Sequence, residues 1–489
     1  MTGQSSQDWY VSGCEWLAQE IYPKALACFD TAAALAPENG AAHHNAGTAA
    51  FNLGLIDEAI GRFRTSLAAK DSFLPRTAIA TLIPGSPAAD HAAVLAARRD
   101  WFDTHLPPTP ARAPRAGGGG ERLRIGYLSS FFQSQNWMKP VWGLINAHDR
   151  QVIDLHLFGD CAADRCVGYT PDERDTFHDI SALSNRDAAA RIEEAAIDIL
   201  VDLNGFSRVT RLAVPAQRPA PIQVAWFNLY ATSGMTCFDY LIGDDQVVGP
   251  EEESFYTETI VRVPGSCLTF RVSYPVPDVA EPPALTSGYV TFGCLASQYK
   301  ITPPVVETWA RILRRSPRAK LLLKNAALAH GANREHLADR FSRHGVTIDR
   351  LVFEGPAEHC DFLAAYSRID VALDTFPYNG GTTTSEALWQ GVPVLAFRGD
   401  RWASRTSASI LVAAGLDEWV AEGVDDYVAR AAGLASDPRT PERLGTERRD
   451  MRQRLLTSRV CDTSGFARAM EAIYRRLGQP AGAGPAASS

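Results

Sequence analysis

The chain has 489 residues, with 48 Lys and Arg against 56 Asp and Glu, a formal net charge of −8 at pH 7 and 46% hydrophobic residues. This length allows about three globular domains, and the negative charge disfavours nucleic acid as a partner because phosphate backbones bind positive surfaces. The sequence lacks an apolar run of about 18 residues, which a membrane-spanning helix needs, and its nine Cys form no C-x-x-C pair. We therefore expect a soluble, cytoplasmic protein without a disulfide framework or a metal site.

The amino-terminal region contains an internal repeat. Three pairs of identical residues share a spacing of 34 positions: Gly13 and Gly47, Ala25 and Ala59, and Phe29 and Phe63. This is the period of the helix-turn-helix unit called the tetratricopeptide repeat, in which small residues let two helices approach closely. We assign residues 1–105 to a tetratricopeptide-like helical segment. Because two repeats are too few to bury a core, they should pack on helices in residues 72–105 or on the next domain, as a structural cap or as a peptide-binding groove.

A linker and a first α/β domain follow. Residues 106–120 are rich in Pro and Gly and predict the linker, because neither residue type supports the interior of a helix or a sheet. Three short apolar segments predict buried strands, and they lie at 122–130, 154–160 and 197–205. Such strands, alternating with amphipathic helices, are typical of a parallel, doubly wound sheet. We assign this domain to residues 121–284.

The alternation resumes after a second Pro-rich boundary at residues 275–288. Five further apolar segments predict strands, and they lie at 289–295, 319–325, 350–355, 369–376 and 392–397. We therefore predict a second α/β domain at residues 285–477. The remaining residues, 478–489, contain few large apolar side chains and predict a disordered tail.

The most informative motif lies at residues 374–395, where a predicted strand, a Gly-containing turn and a helix follow one another. Two interpretations are open and compatible. In the first, Thr383 and Glu386 form a capping box at the start of the helix. In the second, Gly380 and Gly381 let an anion approach the backbone, and Thr hydroxyls and helix amides hold a phosphate. Ligands of open α/β sheets bind at such turns, after the carboxyl ends of strands.

Five sequence blocks point to a family, and they lie at 202–226, 232–245, 297–313, 379–394 and 401–411. In this order they resemble the O-GlcNAc transferase and SPINDLY family of protein glycosyltransferases, and the resemblance runs from about Arg122 to Tyr474. It implies a GT-B fold, an α/β architecture of two Rossmann-like domains that face each other across a cleft, preceded by the all-α repeats. The nucleotide sugar would bind mainly to the second domain, and a polypeptide acceptor would enter from the first.

The resemblance also implies which residues bind the donor. Lys300 matches the family lysine that contacts the donor diphosphate, where a fixed ammonium stabilises the departing charge without a metal. Glu386 matches the acidic residue that faces the ribose hydroxyls, and Thr382 and Thr383 match the phosphate-contacting threonines. The rest of the predicted donor site is Ser297, Gly380, Gly381 and Thr384. We expect no resident cofactor and a UDP-linked co-substrate.

The chain departs from the family at its histidines. Gln135 occupies the position of a family His that is proposed as the catalytic base. Further family histidines fall on Asp198, Phe362 and Gly381. Because an amide cannot accept a proton at neutral pH, the base is either a carboxylate, Glu194 or Asp198, or the departing diphosphate itself. We predict Lys300, Glu194 and Asp198 as catalytic residues.

The acceptor side follows from the same stretch as Gln135. We predict that Gln135, Asn136, Trp137 and Lys139 line the path of the polypeptide. The Gly-Asp-Asp triplet at 243–245 resembles the metal-binding motif of other glycosyltransferases, but a GT-B site needs no metal, and we predict none there.

The sequence therefore predicts an inverting, metal-independent protein O-glycosyltransferase that transfers a sugar from UDP-GlcNAc or a UDP-hexose to Ser or Thr of a polypeptide. Three alternatives stay open: glucosyl transfer to Asn, use of a CMP-nonulosonate donor, and a catalytically inactive adaptor that acts through its repeats. The retained Lys300, the Thr run and Glu386 argue against an inactive donor site. We expect neither nucleic acid nor a membrane among the partners.

Overall fold

The computed structural model describes residues 4–111 and 122–479. Its helices are, in chain order, α1 Ser6–Ala18, α2 Tyr22–Leu35, α3 Gly40–Asn52, α4 Ile56–Ala69, α5 Phe73–Leu82, α6 His91–His105, α7 Gln135–Ala147, α8 Asn185–Glu194, α9 Ala213–Ala216, α10 Ala284–Ser287, α11 Pro303–Arg315, α12 Gly331–Ser342, α13 His359–Ala364, α14 Thr382–Trp389, α15 Thr406–Ala413, α16 Val424–Ser436, α17 Thr440–Leu456 and α18 Thr463–Gly478. Its strands are β1 Leu123–Ser129, β2 Ile153–Gly159, β3 Thr176–Asp179, β4 Ile199–Asp202, β5 Ile222–Ala225, β6 Tyr240–Gly243, β7 Thr259–Arg262, β8 Thr291–Cys294, β9 Lys320–Lys324, β10 Leu351–Glu354, β11 Val371–Leu373, β12 Val394–Phe397 and β13 Val420–Ala421. Residues 112–120 of the predicted linker and 480–489 of the predicted tail lie outside the described residues.

The chain forms two compact units. One contains the residues up to Val94 together with Tyr274–Leu456, and the other contains Leu95–Ser273 and the residues from Thr457 onward. We name them, after their sheets, the six-stranded unit and the seven-stranded unit. The chain therefore leaves the six-stranded unit after α17 and contributes α18 to the seven-stranded unit.

Both sheets have the strand order of a Rossmann fold. The orders are β3-β2-β1-β4-β5-β6-β7 and β10-β9-β8-β11-β12-β13, and each neighbouring pair runs parallel. Parallel strands are covered on both faces, which explains their continuous apolar runs. The predicted α/β class is confirmed. The strand order reverses between β1 and β4 and between β8 and β11, and these switch points are where ligands of such sheets bind.

Helices α1 to α4 form the two predicted repeats. A Cβ atom on Gly13 would lie 2.6 Å from the ring of Phe29, and one on Gly47 would lie 2.8 Å from the ring of Phe63. Both Phe side chains are almost completely buried. The spacing of 34 residues therefore has a physical cause, since each aromatic ring occupies the space that its partner glycine leaves open.

The repeats pack on α5 and also on α12 of the second α/β domain, a partner that nearness in the sequence does not predict. The buried Arg340 of α12 donates to the Leu53 carbonyl at 2.7 Å and to the Ile301 carbonyl at 2.9 Å. The rings of Phe51 and Tyr299 stack at 4.9 Å between their centres. The repeats are thus part of the six-stranded unit and contact the segment that carries Lys300.

A buried polar network joins α18 to the seven-stranded sheet. The Tyr127 hydroxyl lies 2.8 Å from His148 Nε2 and 2.9 Å from the Tyr474 hydroxyl, and Glu471 Oε1 lies 2.9 Å from His148 Nδ1. Burial lowers the pKa of His148, although Glu471 opposes the shift. Among the helices of residues 4–111 and 122–479, none is both long enough and apolar enough to cross a bilayer.

Candidate active site

Two segments meet at the switch point of the six-stranded sheet. The strand β8 leads to the 3-10 turn Gln298–Lys300, and β11 leads through Asp374 to α14. Because β8 and β11 are parallel neighbours, both segments leave from the carboxyl edge of the sheet. Lys300 Nζ donates a hydrogen bond to the Asn379 carbonyl at 2.7 Å. Ser297 caps the first turn, where its carbonyl accepts from the Lys300 N–H at 3.0 Å. The structure therefore brings Lys300 to the Gly and Thr turn.

The turn before α14 is tightly packed around Gly380. A Cβ atom on Gly380 would lie 2.6 Å from Thr384 Oγ1 and 2.7 Å from Thr383 Oγ1. The Gly380 N–H also donates to Asp374 Oδ1 at 2.9 Å. A side chain at this position would displace the two hydroxyls, so their close approach to the backbone requires glycine.

Helix α14 begins at Thr382 and has Gly381 as its N-cap residue. Thr383 therefore lies inside the first helical turn, and a glycine has no side chain with which to form a cap. The predicted capping box of Thr383 and Glu386 is wrong. The prediction failed because α14 begins two residues earlier than a capping box with Thr383 as its N-cap residue requires.

The three Thr hydroxyls have different surroundings. Thr384 is 3% exposed, and its Oγ1 lies 2.8 Å from Ser407 Oγ, which donates to the Gly380 carbonyl at 3.0 Å. Thr382 and Thr383 are half-buried at the amino end of α14. Hydroxyls and amides at such an end can hold an anion, and the helix dipole favours its charge. Thr382 and Thr383 suit a phosphate contact, whereas Thr384 supports the turn through Ser407.

Lys300 and Asp374 form the charged base of this turn. Lys300 is half-buried, and its Nζ lies 4.3 Å from the centre of the Tyr378 ring. Burial lowers the pKa of Lys300 to about 8, and the Asp374 charge opposes this shift. Burial raises the pKa of Asp374 to about 6, against the hydrogen bond from Gly380. At neutral pH Lys300 is therefore charged and can neutralise a bound diphosphate.

Glu386 lies in a separate cluster on the next turn of α14. It is 4% exposed, its Oε1 accepts from the Tyr274 hydroxyl at 3.5 Å, and His359 Nε2 lies 3.4 Å from the same oxygen. The His359 ring meets Tyr274 edge to face at 5.1 Å and stacks on Phe362. Sequence reasoning missed Tyr274 and His359. A signal existed for His359, because it precedes Phe362 by three residues and such residues share a helix face.

The predicted acceptor residues lie in the seven-stranded unit, after the carboxyl end of β1. Gln135 and Asn136 are the first residues of α7. Trp137 is 44% exposed and stacks on Phe131 at 4.6 Å between ring centres, whereas Lys139 is only 4% exposed. Trp137 therefore presents an aromatic surface at the switch point, while Lys139 packs inside the unit.

The structure does not bring Glu194 and Asp198 to the residues after β1. Glu194 ends α8 and is 70% exposed in its side chain. Asp198 precedes β4, and its Oδ2 accepts from the Arg124 N–H at 2.9 Å at the amino end of β1. Both carboxylates therefore lie at the amino edge of the sheet, whereas Gln135 follows the carboxyl edge.

The Gly-Asp-Asp triplet at 243–245 stabilises the local backbone through Asp244. The buried Asp244 accepts hydrogen bonds from the N–H groups of Gln246, Val247 and Cys267, at 2.7 to 3.0 Å, while Asp245 is 80% exposed in its side chain. Across the described parts of the chain, no group of three or more His, Cys, Asp and Glu side chains is arranged to hold a metal ion. The lack of a metal requirement stays a prediction.

Residues 106–272 and 266–470 match the family described as glycosyl transferase family 41. The chain belongs to this family. Its fold agrees with a solved structure, a mutant O-GlcNAc transferase of Thermobaculum terrenum, at a TM-score of 0.81 and 30% identity over 97% of this chain and 90% of that chain. The predicted GT-B fold and the family resemblance are confirmed.

Two curated proteins are similar to this chain in sequence as well. A Hordeum vulgare protein named as probable UDP-N-acetylglucosamine–peptide N-acetylglucosaminyltransferase SPINDLY is 36% identical over 362 residues, which are 73% of this chain and 38% of the relative. An Arabidopsis thaliana protein with the same enzyme name and the designation SEC is 30% identical over 404 residues, which are 80% of this chain and 40% of the relative. The chain thus spans about two fifths of the length of these relatives.

Proposed function

We propose that this family 41 protein is an inverting, metal-independent protein O-glycosyltransferase that transfers a sugar from a UDP-linked donor to Ser or Thr of a polypeptide. The observation that carries the proposal is the gathering of Lys300, Thr382 and Thr383 at the switch point of the six-stranded sheet. The names of the relatives support a UDP-linked donor and a peptide acceptor. The same names do not favour Asn glucosylation, a CMP-nonulosonate donor or an inactive adaptor.

The reaction follows from the charges at this site. An acceptor hydroxyl attacks the anomeric carbon from the face opposite the diphosphate, a new C–O bond forms, and the bond from that carbon to the diphosphate oxygen breaks. Lys300 and the amide groups at the start of α14 stabilise the charge that develops on the departing diphosphate. Glu386 accepts hydrogen bonds from the ribose hydroxyls of the donor.

The hydroxyl proton needs an acceptor. Gln135 cannot take it, because an amide is not basic at neutral pH. Glu194 and Asp198 lie at the other edge of the sheet from Gln135. We therefore assign the proton to the departing diphosphate, which the reaction itself supplies. We also place the enzyme in the cytoplasm, because all nine cysteines carry free thiols, as is usual in a reducing compartment.

The test is a donor panel with the purified chain. UDP-, GDP- and CMP-linked sugars are each incubated with the protein, and nucleotide release is measured. Intact-protein mass spectrometry of co-expressed candidate acceptors then identifies the sugar from the mass increment. We expect transfer from a UDP-linked donor to Ser or Thr. Absence of transfer and of donor hydrolysis with every donor would favour the adaptor.

A further inference from the structure

The seven-stranded unit contains a cavity that the donor chemistry does not use. It has a volume of about 480 Å³ and lies beyond the carboxyl ends of β2, β3 and β4. Its lining residues are mostly polar, and they are Asp160, Ser181, Leu183, Ser184, Asn185, Arg208, Thr210 and Arg211. This edge also carries the start of α7, where the predicted acceptor residues lie.

The charges of the cavity leave one cation in excess. Asp160 is held by Arg211, whose Nε donates at 3.1 Å and whose Nη2 makes a second contact, and by the Ser130 hydroxyl at 2.6 Å. The Asp160 carboxylate is therefore neutralised within the wall. In the part of the chain that the structure describes, Arg208 has no carboxylate partner, and it is exposed. Of the two arginines in the lining, Arg208 is therefore the one whose guanidinium is available to an anion.

Arg208 also lies near the predicted acceptor residues. Its guanidinium carbon lies 5.8 Å from the centre of the Phe131 ring, and Phe131 stacks on the exposed Trp137. A cation and an aromatic ring at about this distance attract one another. The cavity and the Trp137 surface are thus joined through Phe131.

We propose that this cavity binds the carboxylate of an Asp or Glu side chain in the polypeptide acceptor, near the hydroxyl that receives the sugar. The proposal rests on the proposed function in that the ligand is the acceptor. A guanidinium matches a carboxylate with two parallel hydrogen bonds. A cavity of about 480 Å³ is large enough for a side chain that carries a carboxylate. Because the whole chain carries a net charge of −8, attraction of an acidic segment must come from a local cation such as Arg208.

The experiment measures binding of fluorescein-labelled peptides that contain one Ser in an Ala background and one Glu at varied distances from it. Each Glu peptide has a matched Gln peptide. Fluorescence anisotropy with the full chain and saturating UDP gives the dissociation constants. We expect at least one Glu peptide to bind about fivefold more tightly than its Gln partner. Arg208→Gln should abolish this preference, Arg208→Lys should retain part of it, and the equally charge-changing control Arg191→Gln on α8 should leave it intact.

Three outcomes would overturn the proposal: equal binding of Glu and Gln peptides at every position, a preference that persists in Arg208→Gln, and equally strong competition by N-acetylglutamate amide, which would indicate a site for small carboxylates. Calorimetry with UDP and the nucleotide-release assay separate this result from the proposed function. If the protein prefers Glu peptides through Arg208 but transfers no sugar, the result would support carboxylate binding by the cavity and contradict the proposed glycosyltransferase activity.

Discussion

Replacing Lys300 by Ala tests the electrostatic part of the donor site. Two opposite unit charges about 4 Å apart attract each other by about 4 kcal/mol at an effective dielectric constant of about 20. Part of this attraction is offset because a bound diphosphate loses hydration beside the half-buried Lys300. We therefore expect Lys300→Ala to lose at least about 1.4 kcal/mol of transition-state stabilisation, a tenfold loss of turnover, and to weaken UDP binding.

The pH dependence gives this prediction a second readout. Because burial lowers the pKa of Lys300 to about 8, the ammonium loses its proton as the pH rises through that value in the free enzyme. The kcat/KM for the donor should fall above about pH 8, by about tenfold per pH unit. Lys300→Ala has no such group to titrate, so this alkaline decline should disappear from its profile.

The assays are calorimetry with UDP and donor turnover between pH 6 and pH 9. Lys320→Ala is a matched control, because Lys320 starts β9 at the amino edge of the same sheet and lies over the Tyr289 ring. The control should keep parent affinity and the parent pH profile. Equal UDP affinity and turnover in Lys300→Ala and the parent, with both proteins folded, would refute the assignment of Lys300 to the diphosphate.

Two further predictions concern the proton and the repeats. Glu194→Gln and Asp198→Asn should keep turnover within about twofold of the parent, because both carboxylates lie at the amino edge of their sheet; a loss of about a hundredfold with unchanged UDP affinity would restore one of them as the base. Gly47→Val should lower the free energy of unfolding by about 2 kcal/mol, because its Cβ would lie 2.8 Å from the Phe63 ring. Gly61→Ala, on the open side of α4, should raise it by about 0.5 kcal/mol or more in the same denaturation assay.

The sequence alone predicted those parts of the fold in which a local residue pattern is compatible with only one structure. Glycine and Phe at a spacing of 34 residues predicted paired helices, because only a glycine lets the Phe29 ring approach the neighbouring helix so closely. Continuous apolar strands predicted parallel sheets, because such strands are buried on both faces. The proximity of Lys300 to the Gly and Thr turn follows from this topology, since β8 and β11 are adjacent parallel strands.

The sequence did not predict the position of a residue where that position depends on the direction of a strand or on a contact between distant parts of the chain. Asp198 directly precedes β4, so strand polarity alone would have placed it at the amino edge. Tyr274 and Glu386 are far apart in the chain, and no periodicity relates them before the fold is known. The position of the repeats on α12 has the same cause, because Arg340 and Leu53 meet only through the tertiary structure.

The contact between the repeats and the segment that carries Lys300 predicts that the repeats affect donor binding. Phe51 of α3 stacks on Tyr299, the residue before Lys300, and a Cβ on Gly54 would lie 2.5 Å from the Ile301 carbonyl. Loss of the Phe51 ring removes about 0.5 to 1.5 kcal/mol of aromatic contact from this segment. We therefore expect Phe51→Ala to weaken UDP binding by about twofold to tenfold, measured by calorimetry on protein shown by circular dichroism to be folded. Phe73→Ala is the control, because Phe73 is the first residue of α5 and is 39% exposed. Parent UDP affinity in a folded Phe51→Ala protein would mean that the repeats cover the segment without positioning Lys300.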